Sequence, residues 1–309
     1  MSAVGTLPAD PILERRALVQ ATARRTLGRR TLVSRVMLCI CGAALGLCMA
    51  VLAWIIFLLI QKGISYITVD FFTQNPSTPT ILQPNNIGGI KNSIVGSIVI
   101  DSLAVVMAVP VGIVAGLLLA ESDNRFVNAV RTTTEVMTGL PSILLGVFIY
   151  EIVIIRYKQS FSGFAGSLAL AILMIPIIMK ASEVAFRGVP GSLKEAGLSL
   201  GLSKGRVSRR ITVPTATPGL LTAVLLATSR AVGETAPLLW VIGATYVASW
   251  NPFKEQAALP LAIYQPFLNG ISPALQASAW GTALVLVTVV LCLNLGSRLV
   301  AAYSQRERR

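Results

Sequence analysis

Val189-Pro190-Gly191-Ser192-Leu193-Lys194-Glu195-Ala196-Gly197-Leu198-Ser199-Leu200-Gly201, running on to Ile211-Thr212-Val213-Pro214, is a polar, punctuated stretch between two long apolar segments. Ser192 followed by Glu195 has the spacing of a capping box: the hydroxyl takes the backbone N–H of Glu195, and the carboxylate answers the N–H of Ser192. A short helix is expected to start there. Ala196, Leu198 and Leu200 carry it for about two turns, and Gly201 supplies the permissive backbone that ends it.

The surroundings of this stretch are those of a membrane protein. The chain has 309 residues, a mean hydropathy of +0.73, 54% hydrophobic residues and only 13% charged ones, far less polar than a soluble domain of that length. Its net charge of +13 sits in blocks between apolar runs, without the interleaved aromatics of a base-stacking platform, which argues against nucleic acid as a partner. Histidine is absent, so His-based acid/base chemistry, His metal ligation and a Ser-His-Asp triad are excluded. Cys39, Cys41 and Cys48 lie in the first apolar run and Cys292 in the last, where thiols act as small hydrophobes. No pair has zinc or redox spacing.

A span needs roughly 20 apolar residues. Six segments qualify, at about 36–60, 92–120, 133–155, 162–182, 215–244 and 275–299. The expected fold is therefore an all-α polytopic membrane protein with six transmembrane helices. The first run is too long for a signal-peptide core and reads as a retained signal anchor. Before it lies a basic arm, residues 1–35; residues 36–300 form the membrane domain, with a loop at about 184–214 holding the quoted stretch, and 301–309 are a basic tail. The connection at 61–91, with Pro76, Pro79, Pro84 and Gly88-Gly89, favours turns. Gly139-Leu140-Pro141-Ser142 should kink the third helix, and the short link from Glu121 to Arg131 should make helices two and three antiparallel neighbours.

Charge decides the expected topology. With the N-terminus inside, the inner segments hold twenty of the 26 Lys and Arg and the outer segments five, a strong positive-inside bias. Both termini and the Glu195 loop are thus expected to be cytoplasmic. The remaining cation, Arg230, falls inside the fifth span, four residues before Glu234 and so on the same helical face. Charges at that depth usually face a bundle interior or a wet cavity. The two residues form either a self-satisfying ion pair or an anion-handling pair. Arg preceding Glu is the less favourable order for a purely structural pair, and a guanidinium fork suits a tetrahedral oxyanion. Asp101, Glu135 and Glu151 are weaker candidates for bonds between helices. Gly112, Gly116 and Gly146 are expected to allow close packing. No G-x-x-x-x-G-K-[ST] phosphate loop is present, so ATP, if it is used, binds another chain.

The run Glu195-Ala196-Gly197, then Gly201 and Ile211-Thr212-Val213-Pro214, resembles the EAA loop of permease subunits of binding-protein-dependent ABC importers. Arg230-Ala231-Val232-Gly233-Glu234-Thr235-Ala236-Pro237-Leu238-Leu239 resembles the helix-five signature of the PstA-type permeases of phosphate importers. Gly88-Gly89-Ile90-Lys91-Asn92-Ser93-Ile94 and Thr138-Gly139-Leu140-Pro141-Ser142-Ile143 resemble that family's openings of helices two and three. The resemblance implies an inorganic phosphate importer, in the plasma (inner) membrane of a prokaryote, in which this chain forms half of the path, with Arg230 and Glu234 lining it. It also implies coupling to an ATPase through Ser192, Glu195, Ala196, Gly197, Gly201 and Pro214. The implied partners are a PstC-type permease, two PstB-type ATPase subunits that carry ATP and Mg, a PstS-type extracytoplasmic phosphate-binding protein, and membrane lipid. No cofactor or metal is expected in this chain. Gly197 stands where Ala is usual and Val213 where Leu is commoner. Alternative readings are a permease for another solute, such as sulfate or molybdate, or a stand-alone channel or secondary carrier.

Overall fold

The structure is a computed structural model that describes the backbone of residues 11–77, 88–268 and 273–306 and the side chains of 30–77, 88–268 and 273–300. Pro79 and Pro84, the side chains of the arginines up to Arg29, and the tail's Arg306, Arg308 and Arg309 lie outside those bounds. Helices are α1 (Pro11–Gly63), α2 (Val69–Thr73), α3 (Lys91–Glu121), α4 (Arg125–Gly139), α5 (Ser142–Ile149), α6 (Gly163–Arg187), α7 (Gly191–Ser199), α8 (Lys204–Val207), α9 (Val213–Val232), α10 (Leu259–Leu268) and α11 (Pro273–Arg306). π-helical turns at Tyr150–Arg156 and Ser208–Thr212 extend α5 and join α8 to α9. Among the described residues, five helices are long and apolar enough to cross a membrane, or six if the bent pair α4 and α5 counts as one span, which bears out an all-α polytopic fold. Residues 1–58 and 59–309 form separate units. In the first, the apolar side chains from Leu32 to Phe57 are almost all exposed.

The core of the second unit is the pair α3 and α6. Lipid tails are as apolar as leucine, so close packing rather than burial from water holds such helices together. Ala104, Ala108, Gly112 and Gly116 recur every fourth residue on α3, and all are buried. This stripe lets α6 approach. A Cβ on Gly112 would meet Ile178 Cβ at 2.7 Å, one on Gly116 would meet Ser182 Cβ at 2.6 Å, and Ile100 Cγ2 lies 3.7 Å from the Cβ position of Gly166. Every one of these pairs is 66 positions apart, so the two helices run parallel and in register. The main neighbour of α3 is accordingly α6, not the helix that follows it as the short Glu121–Arg131 link suggested.

A segment after α9 covers the end where α3 and α6 begin. Asn92 Nδ2 donates to Thr245 O at 2.7 Å, the N–H of Leu259 donates to Ser97 Oγ at 2.9 Å, and Gln256 Nε2 donates to the carbonyls of Ser249 and Asn251. Asn92 is therefore a brace between segments.

Three bounds differ from the sequence reading. The basic arm is helical from Pro11. The stretch between the fifth and sixth apolar runs contains α10, whose ten residues are too few to span. The fifth apolar run is helical only to Val232, because Gly233 caps it and Pro237 blocks its continuation.

Candidate functional site

The third span breaks where Leu140 and Pro141 take extended conformations, with ψ of 135° and 128°. A residue before proline is driven out of the helical region, and proline has no N–H to donate. The two halves therefore meet at 100°, a fold-back far beyond an ordinary kink. The break opens a cavity of about 270 Å³, walled by Met137, Thr138, Pro141 and Ser142 on one side and by Leu173, Pro176 and Ile177 of α6 on another. Arg230 enters it from the last turn of α9, roughly 25 Å along that helix at 1.5 Å per residue.

Arg230 and Glu234 do meet, but not as two residues on one helix. Since α9 stops at Val232, Glu234 lies past its end, with its N–H donating to Ala231 O. Nε of Arg230 is 3.7 Å from Oε1 of Glu234, and the arginine side chain is 62% exposed against 18% for the glutamate. The carboxylate is held and the guanidinium is largely free. Thr138 Oγ1 donates to Glu135 O, whereas the Ser142 hydroxyl has no partner among the described residues. Ser142 also opens α5 without a side-chain cap, so the first amides of that helix face the same break. Another cleft, lined by Asn92, Thr245, Gln265 and Ser278, holds no charged side chain; compared with it, the Arg230 cavity is the better place for an anion.

The quoted loop forms a helix, α7, but without the capping box. The N-cap is Pro190, extended at φ −54° and ψ 132°, and no side chain caps the helix. Proline sets that extended entry itself, so Ser192 already lies in the first turn and its hydroxyl is not at the cap. Gly201 ends the element at φ +77°, the left-handed conformation that favours glycine. Ser192, Glu195 and Ala196 are exposed, as are Leu193, Leu198 and Leu200. Gly197 alone is buried: a Cβ there would lie 2.5 Å from Ile211 Cδ1 and 3.1 Å from Val207 Cγ2. Glycine at this position thus lets α7 seat on the π-helical turn that leads into α9. Pro214 explains that turn, because it cannot donate to the Arg210 carbonyl and the ladder widens behind it.

Polar contacts that sequence spacing did not reveal tie the neighbouring helix ends together. Glu183 Oε1 accepts from Arg187 at 2.8 Å and from Arg131 of α4 at 3.1 Å. Arg187 also donates to Leu119 O of α3, and Glu135 lies 3.8 Å from Lys180. Glu121 accepts from Ser208 at 2.6 Å. Of the weaker candidates, Asp101 and Glu151 pair with nothing among the described residues, and Glu135 bridges α4 to α6. Gly146 packs against Pro237.

A family model described as the binding-protein-dependent transport system inner membrane component matches residues 108–309. The phosphate transport system permease protein PstA of Haemophilus influenzae is 39% identical over 254 residues, covering 80% of this chain and 86% of that one. PstA 1 of Mycobacterium tuberculosis is 33% identical over 260 residues, 84% of each chain. Among solved structures, an inward-facing MetNI methionine ABC transporter superposes with a TM-score of 0.55 at 20% identity, covering 68% of this chain and 94% of that one. An amino acid ABC transporter crystallised with histidines gives a TM-score of 0.50 at 20% identity, over 70% and 92%. The structural likenesses speak to the fold, and the sequence matches cover most of both partners. This integral membrane chain belongs to the binding-protein-dependent transport system inner membrane components, among the PstA-type permeases.

Proposed function

We propose that this chain is the transmembrane permease subunit of an ATP-driven inorganic phosphate importer and supplies half of its translocation path. The observation that carries this reading is Arg230, whose guanidinium enters a cavity at the break of the third span while its nearest carboxylate stands 3.7 Å away. A planar fork of donors with an unfilled hydrogen-bonding capacity suits a phosphate oxyanion. Ser142 adds a free hydroxyl beside it. The PstA names of the relatives agree with that anion.

In this reading the termini and α7 are cytoplasmic, in keeping with the charge count, and the arm at 1–35 and the tail at 301–309 flank the membrane domain. The exposed residues of α7, Leu193, Glu195 and Ala196 among them, dock on an ATPase, while Gly197, Gly201 and Pro214 shape the element behind them; Ser192 lies in its first turn. ATP and Mg bind PstB-type subunits, a PstC-type permease completes the path, and a PstS-type protein delivers phosphate from outside. The chain is then a transporter component and no enzyme.

The test is uptake of labelled phosphate by proteoliposomes holding the four kinds of subunit. ATP-dependent uptake that requires the binding protein is expected. Uptake without ATP, or ATP-driven uptake of sulfate in preference to phosphate, overturns the reading.

A further inference from the structure

We propose that the Glu121–Ser208 bond is the joint through which movement of the α7 element enters the α3–α6 pair, so that one displacement moves two walls of the Arg230 cavity. The proposal rests on the reading of α7 as the ATPase-docking element.

The bond joins residues 87 positions apart. Ser208 Oγ lies 2.6 Å from Oε1 and 2.8 Å from Oε2 of Glu121, and 3.1 Å from Lys204 O. A hydroxyl has one hydrogen, and the shorter distances direct it to the carboxylate, as charge-assisted bonds are short. The helix's own satisfaction does not require this arrangement, because the Lys204 carbonyl would serve the hydroxyl as well. Glu121 also occupies the last turn of α3, where a negative charge opposes the helix dipole. Arg206, Arg209 and Arg210 flank Ser208 in the chain, yet Glu121 forms no ion pair among the described residues. The carboxylate is thus committed to one serine on a different segment.

That segment is the place where forces converge. Ser208 opens the π-helical turn Ser208–Thr212, and α7 rests on the same turn through Gly197 and Ile211. A π-helical turn is a weak point of a helix and often marks a functional hinge. From it, α9 leads without interruption to Arg230. Through Glu121 the turn also holds the end of α3, and α3 carries α6 with it: Gly112 and Gly116 interlock with Ile178 and Ser182, and Arg187 grips Leu119 O. The α6 side of the cavity is Leu173, Pro176 and Ile177. Glu121 and Ser208 are positioning residues in this scheme and touch no substrate.

The test uses the reconstituted importer and reads ATP hydrolysis and phosphate uptake in the same vesicles. Glu121→Ala and Ser208→Ala are expected to lower phosphate carried per ATP about tenfold, while the ATPase subunits still co-purify. Combining them should cost no more than either alone. Glu121→Gln and Ser208→Thr, which keep an oxygen acceptor and a hydroxyl, should retain most of the wild-type ratio, whereas Glu121→Met, which keeps the bulk of the side chain without a carboxylate, should fall with the alanines; a purely steric role would spare Glu121→Met. If Glu121→Ala does not assemble, Ser208→Ala, which removes a single oxygen, decides. An unchanged ratio in Ser208→Ala, or multiplicative losses in the double variant, overturns the proposal. Loss of ATP-driven uptake by the wild type would instead count against the functional reading beneath it.

Discussion

Nε of Arg230 stands 3.7 Å from Oε1 of Glu234 across the turn that ends α9. This is beyond hydrogen-bond length, and an ion pair with one partner so exposed contributes at most about 1 kcal/mol. The pair orients the arginine without saturating it. Arg230→Gln is expected to lower phosphate uptake by at least about tenfold, the loss of one charge-assisted contact, with the amount of assembled complex unchanged. Arg230→Lys keeps the charge but not the fork and should recover only part of it. Labelled-phosphate uptake, normalised to complex in the vesicles, checks both.

Ser142 shares the cavity with Arg230 and has a free hydroxyl. A neutral hydrogen bond is worth about 0.5–1.5 kcal/mol. Ser142→Ala should therefore raise the KM for uptake by roughly two- to tenfold, with little change at saturating substrate. Unaltered KM would remove Ser142 from the path.

Gly197 presses on Ile211 and Val207. Gly197→Ala gains helix propensity of about 1 kcal/mol; the crowding atom is the far end of the Ile211 side chain, which can rotate away, so overpacking costs the low end of about 1–3 kcal/mol and the net effect on stability should be small. Gly197→Val adds branches with nowhere to go and should cut co-purification of the ATPase subunits. Ile211→Val, which deletes the crowding Cδ1, should restore part of it.

Gly116 leaves no space for a side chain: its Cβ would meet Ser182 Cβ at 2.6 Å and Met179 O at 2.8 Å. The backbone contact cannot yield by rotation, so Gly116→Ala is expected to cost about 1–3 kcal/mol. Gly46, with nothing within 4 Å, provides the comparison: Gly46→Ala, inside α1, should be neutral to stabilising, by up to about 1 kcal/mol of helix propensity. Thermal unfolding of the two variants in detergent measures the difference.

Local rules read well where local causes act. The break at Leu140-Pro141 and the left-handed Gly201 were legible because proline and glycine act through their own backbone. The end of α9 was not. The apolar run resumes after Val232 as far as Ile242, and hydropathy does not separate one long helix from a helix end followed by the short 3-10 turn Leu238–Trp240 and the buried Val241 and Ile242. The capping box failed for a related reason: Ser192 and Glu195 have the right spacing, but Pro190 starts the helix before them. α10 escaped notice because ten apolar residues look like part of a loop when only spans are sought.

Membrane class, the number of long apolar runs, the sidedness implied by charge and the family-bearing motifs follow from the sequence alone, since each depends on composition, length or spacing within one segment. Tertiary structure decided which segments meet. No periodicity connects Ser142 to Arg230, or Glu121 to a serine 87 positions on. Those meetings arise because small residues every fourth position on α3 bring α6 into register and a proline-driven break turns α5 back toward the cavity. They are consequences of packing, which no segment contains by itself.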